Sequence, residues 1–340
     1  MTSEKKLQKI GIIPKEKLKI EEKNHIAKTI ASKLSENIEA LSDCYHELYM
    51  RIFNSDLYYA DMDQKFCGIF YFYKTNTIYI DENKNVSNID GYMIHEVIHY
   101  LQNFSKLNQK IRRVGLCYFT DLKIMGLGMN EAMAQYIAAR AAGNEIQEIY
   151  SNEVTIWTNS EEHYKYMTSL IIQMLVLMGE EKAIKSCIYS TDEFENELYN
   201  TFEENTNKIL KNFDMILKEN NKVSRDENKI IEVYLQTQEM IYKNYFTKKY
   251  NRLTEIKEVD DEVQKLNEYE KIIGKINDSQ EKEDEFTTFK KKMSTKFMDK
   301  YIEVSRKNSR NALVIYKKSF YDIWKKITDF IQKKMKRDQA

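Results

Sequence analysis

Two histidines four residues apart, with a glutamate directly after the first, stand in the stretch HEVIHY at residues 95–100. On a helix that spacing puts His95 and His99 on one face, about one turn from each other. Imidazole nitrogens so placed grip a borderline-soft divalent ion such as Zn2+, and Glu96 beside the first of them can serve as general base toward a water on the ion. The chain holds five histidines in all, so the pattern does not come from a histidine-rich composition. The plainer alternative is a pair of core histidines satisfied by carbonyl groups, with Glu96 exposed. His25 and His46 stand alone on another amphipathic stretch and read as surface or capping residues.

Catalytic zinc usually keeps three protein ligands and one open position. The best source of the third is GMNEAMAQYIAARAAG, residues 128–143, whose alanine-rich body and closing Gly143 predict a helix with a C-cap. Glu131 is expected in its first turn, facing the same way as Ala134, Gln135 and Ala138. Small neighbours let two helices approach closely, which a ligand delivered from one to the other requires. Asp121, in a less regular segment, is the alternative third ligand.

HEVIH followed by Asn130-Glu131-Ala132 on a second helix resembles the glutamate-zincin class of metallopeptidases, whose thermolysin-like members carry HExxH and then a helix with NEA. The resemblance covers roughly residues 65–145. It implies His95, His99 and Glu131 as zinc ligands, Glu96 as catalytic base, and a peptide or protein as substrate. The class also usually has a downstream Tyr or His that donates a hydrogen bond to the oxyanion. His163, Tyr164 and Tyr166 are nearest in sequence, and His163 and Tyr166 are the two assigned to that role. Two departures stand out. The spacer from His99 to Glu131 is longer than in the thermolysin-like members, so an extra loop near Arg112–Met125 must be accommodated. Where those members place an Asp four residues after the ligand Glu, this chain has Gln135, which is expected to accept the imidazole proton without a charge. The metzincin pattern fails, since Gln102 and Ser105 stand where its Gly and third His belong.

One proline and nine glycines in 340 residues interrupt helices rarely, and 42% apolar residues can fill a sizeable core. The fold expected is α+β and predominantly α-helical. A zincin-like catalytic domain with a small antiparallel sheet or hairpin is followed by a helical C-terminal region. The expected division is an arm over 1–22, the metallopeptidase domain over 23–202 and a charged helical domain over 203–340. Apolar positions from Ile26 to Leu48 recur at threes and fours and predict one amphipathic helix over about Asn24–Phe53. CGIFYFYKTNTIYID reads as a β-hairpin ending in the strand Thr77–Asp81, an edge on which an extended peptide can add backbone hydrogen bonds. Asn88 or Asp90 is expected to cap the HExxH helix.

Formal charge is zero, so no nucleic-acid partner is expected. The last fifty residues nevertheless carry 15 Lys and Arg against 5 Asp and Glu. A helix there, with Leu313, Tyr316, Phe320, Ile323, Ile327 and Phe330 on one face and lysines on the other, either packs on the body or meets an acidic partner or membrane surface. The alternative function is therefore a non-catalytic metal-binding protein that acts by partner binding through these basic helices. Cys44, Cys67, Cys117 and Cys187 make no CxxC pair and read as reduced, buried thiols. No apolar run is long enough for a signal peptide or a membrane span, and a cytoplasmic protein is expected.

Overall fold

The computed structural model describes residues 3–103, 113–119, 124–276 and 285–307. Among them the chain is predominantly helical with three small sheets, as expected. It divides into two compact units, one built on Met1–Tyr245 and Glu268–Glu281, the other on Phe246–Asn267 and the described residues after Lys282.

The first unit opens with helix α1 (Ser3–Ile10) and strand β1 (Ile12–Lys17), turned between them at Gly11. The single helix expected over Asn24–Phe53 is two. Helix α2 (Ile20–Asn37) stops where Ile38 adopts an extended conformation, a 3-10 turn covers Glu39–Cys44, and α3 (Tyr45–Phe53) packs back on α2. The apolar spacing runs through the break because Leu41 within the turn is as buried as Leu34 and Leu48 on either side. Periodicity alone could not register the change of direction.

Strands β2 (Asp56–Met62), β3 (Ile69–Phe72) and β4 (Thr77–Asp81) complete a sheet in the order β1-β2-β4-β3. The β3–β4 pair is the antiparallel hairpin expected from sequence, in the register Phe70 opposite Tyr79, whereas β2 runs parallel to β4, so the sheet is mixed. Strand β3 ends the sheet on the side of helix α4 (Gly91–Asn103), against which it packs. Asp90 caps α4, its Oδ1 accepting the Met93 N–H at 2.9 Å, in the manner of an N-cap aspartate. Met93, Ile94, Val97, Ile98 and Leu101 are no more than 1% exposed. At roughly 1.5–3 kcal/mol for each such side chain removed from water, burial rather than helix propensity fixes how α4 is rotated.

A three-stranded patch, β5 (Arg113–Val114), β6 (Cys117–Phe119) and β7 (Ile124–Met125), leads into α5 (Leu127–Ala141). That helix is buried along most of its length between α4, α6 (Lys165–Met178) and α9 (Asn205–Asn220). Its end is a Schellman motif: Gly143 has a φ of +93°, its N–H donates to Arg140 O, and the Asn144 N–H donates to Ala139 O. The hairpin β8 (Gln147–Ser151) and β9 (Val154–Thr158), joined by β10 (Lys275–Ile276), precedes α6. Helices α7 (Glu181–Tyr189) and α8 (Glu193–Phe202) lie between α6 and α9 in the chain, and α10 (Glu227–Tyr250) and α11 (Ile256–Ile272) follow.

In the second unit a helix runs over 285–307, with Phe246 and Tyr250 set edge-on to Phe297. The basic helix expected over Leu313–Phe330 and the alternative ligand Asp121 lie outside the described residues. No helix among the described residues is long and apolar enough to cross a membrane. All four cysteines are unpaired. Only Cys117 and Cys187 are buried, however: Cys44 is half-buried and Cys67 exposed, because Cys67 sits at the positive-φ turn after β2.

Candidate metal centre

His95 and His99 leave α4 one turn apart and direct their Nε2 atoms toward each other at 2.9 Å. Glu131 enters from α5, its Oε2 at 3.4 Å from His95 Nε2 and 3.3 Å from His99 Nε2. Because α5 begins at Leu127, Glu131 falls in its second turn rather than the first. Three donors on a tetrahedron with bonds of about 2.0–2.1 Å stand about 3.3–3.4 Å apart. The two carboxylate separations match that edge and the histidine pair is slightly tighter. Two imidazoles and one carboxylate are also a donor set that zinc accepts, so the residues fit the metal that the sequence pattern implies. The cluster is able to hold a metal ion and is consistent with the zinc-binding triad of the glutamate zincins. Its side chains are 9%, 13% and 20% exposed for His95, His99 and Glu131. His25 and His46 lie exposed on α2 and α3, apart from it.

Glu131 is brought to this place by α9. Gly128 passes so close to that helix that a Cβ there would stand 2.2 Å from the Phe213 carbonyl oxygen. From the same turn of α9, Asp214 accepts the Gly128 N–H at 2.7 Å and the Gly126 N–H at 3.2 Å. A carboxylate from a distant segment thus satisfies amides at the start of α5 that have no partner within the helix.

The charges interlock. Burial works against ionised Glu131, but the two imidazoles outweigh it and hold the carboxyl far below its ordinary range. Burial likewise depresses His99, yet Glu131 more than reverses this and takes it up to about 9. Glu96 moves the other way: burial raises it against the pull of His95 and His99. Its Oε2 accepts the main-chain N–H of Tyr71 on β3 at 2.8 Å, so the end strand of the sheet holds this carboxylate beside the metal donors.

The oxyanion candidates go to different places. The Tyr166 hydroxyl faces Ser151 Oγ at 3.3 Å and its ring packs against Tyr234. His163 pairs through Nε2 with the Tyr92 hydroxyl, and burial lowers it below the ordinary imidazole value. Tyr164 comes nearest the ligands, its ring centroid 6.4 Å from that of His95. A left-handed backbone, φ +54° and ψ 25°, turns it there at the start of α6, a conformation costly for a tyrosine. Burial first, then the charges of Glu131 and Glu96, push its hydroxyl above the ordinary phenol value.

Gln135 does not reach an imidazole. Its amide nitrogen donates to Ser160 Oγ at 2.9 Å, and that hydroxyl donates to the His163 carbonyl at 2.6 Å. It anchors the turn that carries His163 and Tyr164. The side chain that does meet a ligand histidine is Gln102, whose Oε1 lies 3.0 Å from His99 Nδ1. Its position one turn along α4 from His99 was the available signal. No protein-family model, curated protein or solved structure matches the chain.

Proposed function

We propose that the chain is a zinc-dependent peptide hydrolase with Glu96 as its general base. The observation that carries this reading is the convergence of His95, His99 and Glu131 within 4.8 Å, with Glu96 fastened beside them by strand β3. Zinc held by those three would supply Lewis acidity toward a scissile carbonyl and bring the pKa of a water from about 15.7 toward about 7. Glu96 takes a proton at its carboxylate from the attacking water and passes it to the leaving amine, a role helped by its raised pKa. The Tyr164 hydroxyl, held protonated by its surroundings, donates to the oxyanion in the part first assigned to His163 or Tyr166. A peptide is favoured as substrate because β3 ends its sheet beside Glu96, and an extended chain can pair with those of its edge groups that Glu96 leaves free, the Tyr71 N–H being taken. Four unpaired thiols favour a reducing compartment such as the cytoplasm.

The test is Glu96→Gln. The amide oxygen can still accept the Tyr71 N–H but cannot take a proton, so the variant should bind zinc like the parent and cleave peptides about 10²–10⁴-fold more slowly. A zinc-loaded variant as active as the parent would remove Glu96 from the chemistry.

A further inference from the structure

We propose that Gln102 and Asn130 are positioning residues that fix the ring of His99 in the tautomer able to bind a metal through Nε2. The inference rests on the reading of His95, His99 and Glu131 as metal donors, and a chain of hydrogen bonds whose directions are forced carries it.

The chain begins at a peptide group. The main-chain N–H of Leu116 meets Asn130 Oδ1 at 2.9 Å. A peptide N–H only donates, so the remaining terminal atom of Asn130 is its NH2, which donates to Gln102 at 3.1 Å. The Gln102 atom that receives it is therefore the carbonyl oxygen. Its nitrogen is the one turned to Cys187 Sγ at 3.0 Å. That oxygen, 3.0 Å from His99 Nδ1, carries no hydrogen and can only accept. Nδ1 then bears the proton, and in the neutral ring Nε2 keeps its lone pair on the side of His95 and Glu131.

Neither amide can turn over without loss. Gln102 is 2% exposed and Asn130 3%, and a flip of either would set two donors or two acceptors face to face in a buried place. The backbone around them is held as tightly. Ser190 Oγ accepts the Gly115 N–H at 2.7 Å and donates to the main-chain carbonyl of Gln102 at 2.6 Å. Gly115, at φ +58°, lies where a Cβ would be 2.0 Å from Asn130 Oδ1, so the turn before β6 closes on the asparagine only with glycine there. His95 gains no such support: its Nδ1 is buried without a hydrogen-bond partner among the described residues. Orientation of the pair is therefore set from the His99 side. The arrangement uses a neutral relay where a carboxylate would serve, so Nδ1–H is directed without the added basicity that a charge gives the ligand.

Zinc affinity measured by chelator competition, with thermal unfolding of each chelator-treated protein as the check on folding, tests the relay in the parent, Gln102→Met and Gln102→Glu. Methionine keeps the length and apolar bulk but removes the acceptor, and should weaken zinc binding about 10–100-fold, the usual cost of losing an outer hydrogen-bond partner. Glutamate restores the acceptor with a charge and should bind zinc at least as tightly as the parent. Equal affinity of Gln102→Met and the parent would overturn the proposal, as would a Gln102→Glu that falls as far as the methionine variant. Were Gln102→Met not to fold, a folded Gln102→Glu that binds zinc about tenfold or more weakly than the parent would overturn the proposal, and one that binds at least as tightly would support it. A parent that binds no zinc would sink the metal-centre reading itself, a result distinct from a parent that binds and variants that match it.

Discussion

Replacing Gly128 by alanine sets two effects of known sign against each other. In an unconstrained helix interior the change is favourable by about 1 kcal/mol. Here the new methyl would stand 2.2 Å from Phe213 O, 2.4 Å from Phe213 C and 2.8 Å from the Asp214 nitrogen. Ordinary contacts begin near about 3.4 Å, so α5 and α9 must part by about 1 Å, and all three obstacles are main-chain atoms that cannot rotate away. Overpacking of this kind costs about 1–3 kcal/mol, so the clash exceeds the propensity gain and the variant should be less stable. Glu131 lies three residues further along α5, and its separations of 3.3 and 3.4 Å from the imidazoles would open by a comparable amount. Misplacement by about 1 Å can cost about 10²-fold in catalysis. Denaturant unfolding of the metal-free protein, with zinc competition and peptide cleavage on the loaded protein, reads all three consequences. A Gly128→Ala protein more stable than the parent, with unchanged zinc affinity, would refute the claim that close approach to α9 sets the position of Glu131.

Three further results are expected. His99 in the metal-free protein is raised to about 9 by Glu131, and the ion takes only the neutral ring, so zinc affinity should climb about tenfold per pH unit up to about pH 9 and then level off; a flat profile in chelator competition would contradict the pairing. By the same sign, this imidazole stabilises the metal-free fold fully below its ordinary 6.5 and loses that contribution as pH rises to about 9, which a series of melting temperatures can follow. Tyr164→Phe should slow peptide cleavage by about 10²–10³-fold with zinc affinity intact, whereas Tyr166→Phe, losing a hydroxyl contact to Ser151, should cost only about 1 kcal/mol of stability; the reverse pattern would return the oxyanion role to Tyr166.

What could be read from the sequence were features whose geometry is local. The four-residue spacing of His95 and His99, the Asp90 cap, the Gly143 terminus and the strand Thr77–Asp81 each depend on residues within a turn or a strand, and each stands as expected. Glu131 was reachable because a helix of small residues implies a close neighbour. The break after Asn37 was hidden because Leu41 continues the apolar spacing through a non-helical turn. Strand β2 pairs parallel to β4, its neighbour in the sheet although β3 comes between them in the chain, which no local pattern encodes. Gln135 and Gln102 are chemically alike; which one meets an imidazole depends on how α4 and α5 cross. Tyr164 and Tyr166 are likewise separated only by a left-handed residue at the start of a helix.

The bond from Asp214 to the amides of Gly126 and Gly128 spans 88 and 86 positions of the chain, and it bears on how the protein can be cut. A fragment ending at 202, where charged helical sequence takes over, would lose both the half-buried carboxylate at the head of the Glu131 helix and the surface on which Gly128 rests. The smallest piece able to load an ion therefore includes α9 as well, and a protease nick between Phe202 and Asn205 would be tolerated only while the two halves stay associated.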